Sequence, residues 1–181
     1  MQNQEFTHLL STRRSLGPKM QMAPGPNEEV LLAAAQAAHA APCHGDKFPV
    51  RFVRIVSREK LADAFEALLP ADADEATRSK ARDKALRGET LIAVVTMKPE
   101  EPTNQQAVAE TYMTAGGALT NFLNVLFAAG FAAKTVSGRD LPAAEGLLDR
   151  SRETLTAFVL CGTPMGAPKA RKDAASLLSN W

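Results

Sequence analysis

Arg13, Arg14 and Ser15 stand together at the end of a short amphipathic segment, just ahead of Gly17 and Pro18. Two guanidinium groups match phosphate oxygens in bidentate geometry, and a serine hydroxyl adds a third donor. The same residues also suit a solvated helix end, where arginines favour the dipole. Composition alone favours that plainer reading. The formal net charge is +1, so no diffuse field draws nucleic acid or an anionic membrane, and any anion site must be local.

His44 is the second residue placed for chemistry. It follows Pro42 in "APCHGDKFP", a polar loop between a helix and a strand, where ligand contacts collect. The other two histidines, His8 and His39, make no HExxH or His-x-His spacing with it, so a metal site is not expected. Cys43 is its chain neighbour, and adjacent side chains seldom reach each other as a thiolate–imidazole pair. Cys43 and Cys161 form no CxxC, which argues against a disulfide framework or zinc site. Ser15, Ser137 and Ser151 lie in no GxSxG elbow. Neither GxGxxG nor GxxxxGK[ST] occurs, and Gly116–Gly117 falls inside a long helical pattern. That pair suits close approach of a backbone or a flat ligand, or simple helix packing.

The elements that must position these residues follow from periodicity. Residues 4–12 read as a short helix with Phe6, Leu9 and Leu10 on one face. "GPKMQMAPGPN" reads as a loop. "NEEVLLAAAQAAHAA" is a helix capped by Asn27, with Glu28 and Glu29 in its first turn and Pro42 as its stop. "VRFVRIV", residues 50–56, alternates as a half-exposed strand. Two helices, "REKLADAFEALL" and the charged "DEATRSKARDKALRG", precede "ETLIAVVTM", a buried central strand. Thr103 and Gln106 have capping-box spacing and open a helix running to about Ala129, with Gly130 as its stop. "FAAKTV" is a strand, residues 143–148 a small helix, and residues 154–162 the last apolar strand. The helix is apolar on nearly all sides from Met113 onward, which places it in a core or at a subunit interface.

The 181 residues, 45% hydrophobic and 23% charged, suit one domain across 1–181 with its own core. The N-terminus lacks a basic start followed by an apolar run. Residues 112–133 carry Thr114, Thr120, Asn121 and Asn124, which makes them a poor membrane span. The expectation is a cytoplasmic α+β protein.

Five stretches, in order, resemble the nitroreductase family of FMN-dependent oxidoreductases, in its small putative NAD(P)H nitroreductase branch. "LLSTRRS" resembles the family's opening. "LLAAAQAAHAAPCHGDKFPVRFVRI" resembles its helix, AP-x-H loop and QPWRF strand. "TLIAVV" resembles the central strand, "AGGALTNFLNVLFAAGFAAKTVSG" the long helix and the segment after it, and "AFVLCGTP" the final strand. The resemblance implies a central mixed, mainly antiparallel sheet surrounded by helices, with the long helix at a homodimer interface and FMN held by both chains. It implies that Arg13, Arg14 and Ser15 bind the FMN phosphate and ribityl chain, and that His44 reaches the flavin from the other subunit. Thr135, Val136 and Ser137 would line the cofactor, and Arg171 or Lys169 in the basic tail would add a phosphate contact.

The resemblance also implies a ping-pong cycle. NAD(P)H gives a hydride to flavin N5, and a nitroaromatic, quinone or similar acceptor then takes the electrons. No side-chain acid or base is required, in keeping with the absence of such a constellation. This chain departs from its relatives at "TVSG", which replaces "WRSG", so an aromatic and a cation give way to Thr135 and Val136. Phe48 and Val50 replace the glutamine and tryptophan of "QPW", and no proline precedes the central strand. The alternatives are a flavin-binding sensor, storage or partner protein with little turnover, and a helix-rich interaction protein without cofactor.

Overall fold

The structure is a computed structural model and describes residues 3–45, 47–142 and 144–166. Helix α1 (Asn3–Thr12) leads through a 3-10 turn (Pro18–Met20) to a two-residue strand β1 (Gln21–Met22). Then come α2 (Glu28–Ala38), β2 (Val50–Arg54), α3 (Arg58–Glu66), α4 (Glu75–Leu86) and β3 (Thr90–Met97). The chain continues with α5 (Gln105–Ala128), β4 (Ala132–Ser137) and β5 (Glu153–Pro164).

β5 is the spine of the sheet. Its order is β1-β5-β3-β2, with β4 also paired to β5. All the named strand pairs are antiparallel. Among the described residues, the parallel component is a single isolated bridge, Ser15 to Ala133. "GPKMQMAPGPN", expected as a loop, thus supplies β1, where Gln21 and Met22 pair with Pro164 and Thr163. Two residues between prolines still have free amides and carbonyls, and the end of β5 offers partners for them.

The strand alternation builds two cores. Ile92, Val94, Ala133, Ala157, Val159 and Cys161 face α5 and α2. Leu91, Ala93, Val95, Leu155, Phe158 and Leu160 face α3 and α4. A bulge between Val94 and Val95 shifts the register opposite β5 and keeps both faces apolar. On the first face the rings of Phe52 and Phe122 stack at 4.3 Å. Phe122, Leu126, Ala118 and Ala115 form the buried stripe of α5. The opposite stripe is uncovered: Met113 is 75% exposed, with Tyr112, Gly116 and Thr120 beside it. Gly117 faces inward, where an added Cβ would lie 3.3 Å from that of Ala41, while Gly116 meets open space.

Helix ends follow local chemistry with some corrections. Asn27 caps α2 by accepting from Val30 N, worth about 1 kcal/mol. The helix itself ends at Ala38, ahead of Pro42. Asn104, rather than Thr103, caps α5, its Oδ1 accepting from Gln106 N and Ala107 N. Residues 144–148 form turns instead of a helix. Their bonds are of the i→i+3 kind, and the Leu147 carbonyl accepts from Arg51 Nη2 instead of from a following turn.

Candidate functional site

β4 runs along β5, and its residues alternate between the two faces of the sheet. Lys134 and Val136 stand opposite Leu160 and Phe158, on the α3/α4 side. Thr135 stands opposite Val159, on the α5 side. A cleft of about 440 Å³ opens where Lys134, Val136, Ser137 and Gly138 meet Pro18 and the end of α4. Its floor is apolar, made by Phe65, Leu91, Phe158 and Leu160. Its charged lining is Lys84, Arg87, Lys134 and Arg139, and no carboxylate is among the lining residues. Apolar walls with a few convergent cations suit a flat ligand that carries negative charge.

The Arg13–Arg14–Ser15 segment is strapped beside this cleft. Ser15 bridges Ala133, and Leu16 N donates to Ala133 O at 3.2 Å. Buried Gln21 holds the strap from behind. Its Nε2 donates to Leu16 O at 2.7 Å and to Leu160 O at 3.1 Å. Pro18, three residues after Ser15, is part of the cleft wall. Arg13 and Arg14 are half-buried, and Arg14 Nη1 donates to the Arg13 carbonyl. Gly138 closes the β4 side. A Cβ there would lie 1.9 Å from the Leu155 carbonyl oxygen, so only glycine lets the backbone turn away at this point.

His44 lies in a different cleft, of about 460 Å³, with Cys43, Lys47, Phe48, Met97, Glu110 and Arg152 among its walls. The two clefts share no lining residue. His44 is 83% exposed, and its Nδ1 is 3.8 Å from Glu110 Oε2. The Cys43 thiol donates to Lys47 O at 3.3 Å, away from the imidazole. Phe48 packs against His39, and Val50 is buried in the α5-side core. A third groove, of about 470 Å³, between the end of β2, α3 and residues 144–147 mixes Arg54 and Lys60 with Asp63 and Glu145. None of the candidate residues lines it.

The structure therefore brings Ser15, Val136 and Ser137 to one locality, puts Thr135 on the other sheet face and leaves His44 in a separate cleft. Arg171 and Lys169 lie outside the described residues. Sequence reading missed Lys84, Arg87, Lys134 and Arg139. Only Lys134 carried a local signal, being two residues from Val136 on a strand. Among the described residues, no group of three or more His, Cys, Asp or Glu is placed to hold a metal ion. No described helix is long and apolar enough to cross a membrane.

Ionisation elsewhere in the chain has clear causes. The Arg51 guanidinium donates to both carboxylate oxygens of Glu153 at 2.7 Å and holds that carboxyl below its usual range. Burial pushes the Cys161 thiol up to about 12. Burial also lowers Arg58 from the ordinary guanidinium value, yet arginine stays charged at neutral pH.

An antiparallel sheet between α5 and the α3/α4 pair has counterparts among known proteins. The model of the nitroreductase family matches residues 10–166. The chain belongs to the nitroreductase family. A Haemophilus influenzae protein named "Putative NAD(P)H nitroreductase" is 33% identical over 176 residues, covering 91% of this chain and 90% of that one. A nitroreductase-like family protein from Bacillus cereus superposes with a TM-score of 0.78 at 20% identity, covering 97% of this chain and 95% of the other. A structure from Desulfovibrio desulfuricans, solved in complex with FMN, gives a TM-score of 0.69 at 19% identity, over 100% and 98% of the two chains.

Proposed function

We propose that this protein is an FMN-dependent NAD(P)H oxidoreductase that reduces a nitroaromatic, a quinone or a similar acceptor. The observation that carries the reading is the cleft itself. It joins four cations and an apolar floor to the Ser15 strap and the Val136–Ser137 edge of β4. A flavin has flat apolar faces, a polar pyrimidine edge and a phosphate, and the lining matches each in kind. The volume of about 440 Å³ falls in the range of small-molecule sites.

When bound, FMN supplies hydride transfer between NAD(P)H and the acceptor in a ping-pong cycle. The chain's residues bind and orient. Arg13, Arg14 and Ser15 take the phosphate end, where charge-assisted hydrogen bonds are strongest. Lys134, Lys84, Arg87 and Arg139 offset negative charge that builds up in the cleft on reduction. Phe158, Leu160 and Leu91 keep water from the floor. Thr135 contributes from behind the strand, by packing, and Arg171 is assigned a phosphate contact on the family pattern alone.

The reading includes a homodimer with two FMN sites at the subunit interface. The uncovered stripe of Met113, Tyr112, Gly116 and Thr120 on α5 supports it, as do exposed Phe6 and Leu10 on α1. His44 shares no cleft with Val136 and Ser137 in one chain, so a second copy would have to bring it to the flavin. Purified protein reconstituted with FMN is expected to show bound-flavin absorption and to oxidise NADH or NADPH with a nitroaromatic or quinone. Bound flavin without steady-state turnover would favour the storage or sensor alternative. A dimer that takes up no FMN would refute the proposal.

A further inference from the structure

The cleft's cations Lys84 and Arg87 sit at the C-terminal end of α4, an awkward place for an anion site. The last carbonyls of a helix lack intrahelical partners, and the dipole there is negative. In this chain the turn from α4 into β3 is held by one side chain from another helix. Arg58, the first residue of α3, donates from Nη1 to the Ala85 carbonyl at 2.8 Å and to Arg87 O at 3.3 Å. Its Nη2 donates to Gly88 O at 2.9 Å and to Glu89 O at 3.4 Å. The turn has little slack. Gly88 has φ +74° and a Cβ there would lie 3.1 Å from that of Leu160, a residue of the cleft floor.

We infer that Arg58 is a positioning residue for the anionic ligand of the cleft, acting by capping the carbonyls at the end of α4 and in the turn into β3, and so aiming Lys84 and Arg87. This rests on the reading of the cleft as the FMN site. The guanidinium does two things at once. It takes up four carbonyl oxygens of the turn that carries Arg87, offsetting their partial negative charge. It also fixes the backbone of Arg87, which is extended at the helix end, so that its side chain and that of Lys84 enter the cleft from one side. A lysine at this position keeps the charge but lacks the planar fork that spans several acceptors.

The test compares FMN dissociation constants, read by flavin fluorescence, for the parent, Arg58→Gln, Arg58→Lys and Arg82→Ala. Arg82 pairs with Glu59, Asp63 and Glu66 across the same two helices and lines no cleft. Arg82→Ala is therefore expected to lower the melting temperature and leave the constant unchanged. Arg58→Gln is expected to raise it about tenfold, the size of one charge-assisted hydrogen bond, and Arg58→Lys to fall between. If Arg58→Gln fails to fold, Arg58→Lys decides the matter by the same readout. A constant within twofold of the parent in a folded Arg58 variant, or an equal loss in Arg82→Ala, overturns the inference. Absence of FMN binding by the parent overturns the function reading instead.

Discussion

Lys134 and Val136 lie on the same face of β4, opposite Leu160 and Phe158, and line one cleft. Val136 itself carries no charge. Here a cation stands two residues earlier, on the same face, because the side-chain period of a strand is two. Lys134 thus puts a positive charge beside the β4 edge, and Arg139, Lys84 and Arg87 line the same cleft.

Lys134→Ala should weaken FMN binding about tenfold, with the loss shrinking as salt rises. Val136→Arg in that background should recover part of it. Fluorescence titration at two ionic strengths checks both, and a salt-independent loss would point to packing instead of charge.

Arg13→Ala and Arg14→Ala should each cost about tenfold or more in FMN affinity while sedimentation still gives a folded dimer. The test is flavin content after gel filtration. Full retention in both variants would remove these arginines from the site.

The separation of His44 from Ser15 within one chain predicts complementation between subunits. Arg13→Ala and His44→Ala homodimers should both bind flavin poorly. A mixed dimer of the two should recover one sound site, because one of its two sites then holds both native residues. Flavin stoichiometry of the tagged heterodimer measures this, and no recovery would put both residues in the same chain's site.

Glu153 is held by Arg51 and also accepts from Asp149 N at 2.7 Å. Its folded carboxyl is depressed, chiefly by the Arg51 hydrogen bonds. Its stabilising contribution is present above the ordinary glutamate value and is lost as pH falls through the lower folded value. Denaturant midpoints across the acid range should show a steeper fall for the parent than for Glu153→Gln.

Cys161 is fully buried in β5, while Cys43 is half-buried in the His44 loop. A thiol reagent should label Cys43 in the native protein and both cysteines after unfolding. The raised Cys161 thiol implies stability that holds below the ordinary thiol value and falls as pH rises above it, since the unfolded thiol ionises first. Native labelling of Cys161 would contradict its burial.

Much of the framework was legible along the chain. The run "ETLIAVVTM" has an unbroken apolar centre, residues 91–95, and supplies β3, buried on both faces. Gly130 followed the last turn of α5, and Asn27 did cap α2. These features depend on near neighbours, and periodicity reports them directly. Order and spacing across five segments also carried the family. β1 was not visible, because a two-residue strand exists only where the end of β5 offers it partners. The turns at 144–148 were misread because Arg51, nearly a hundred positions away, takes the Leu147 carbonyl. The cleft is of the same kind. Lys84, Arg87, Lys134 and Arg139 come from two stretches about fifty residues apart, and only the tertiary packing brings them around the shared floor of Phe65, Leu91, Phe158 and Leu160. Local sequence thus determined which segments are helices and strands and which residues could bind an anion. Tertiary packing alone decided which cations share a wall, and placed His44 apart from them.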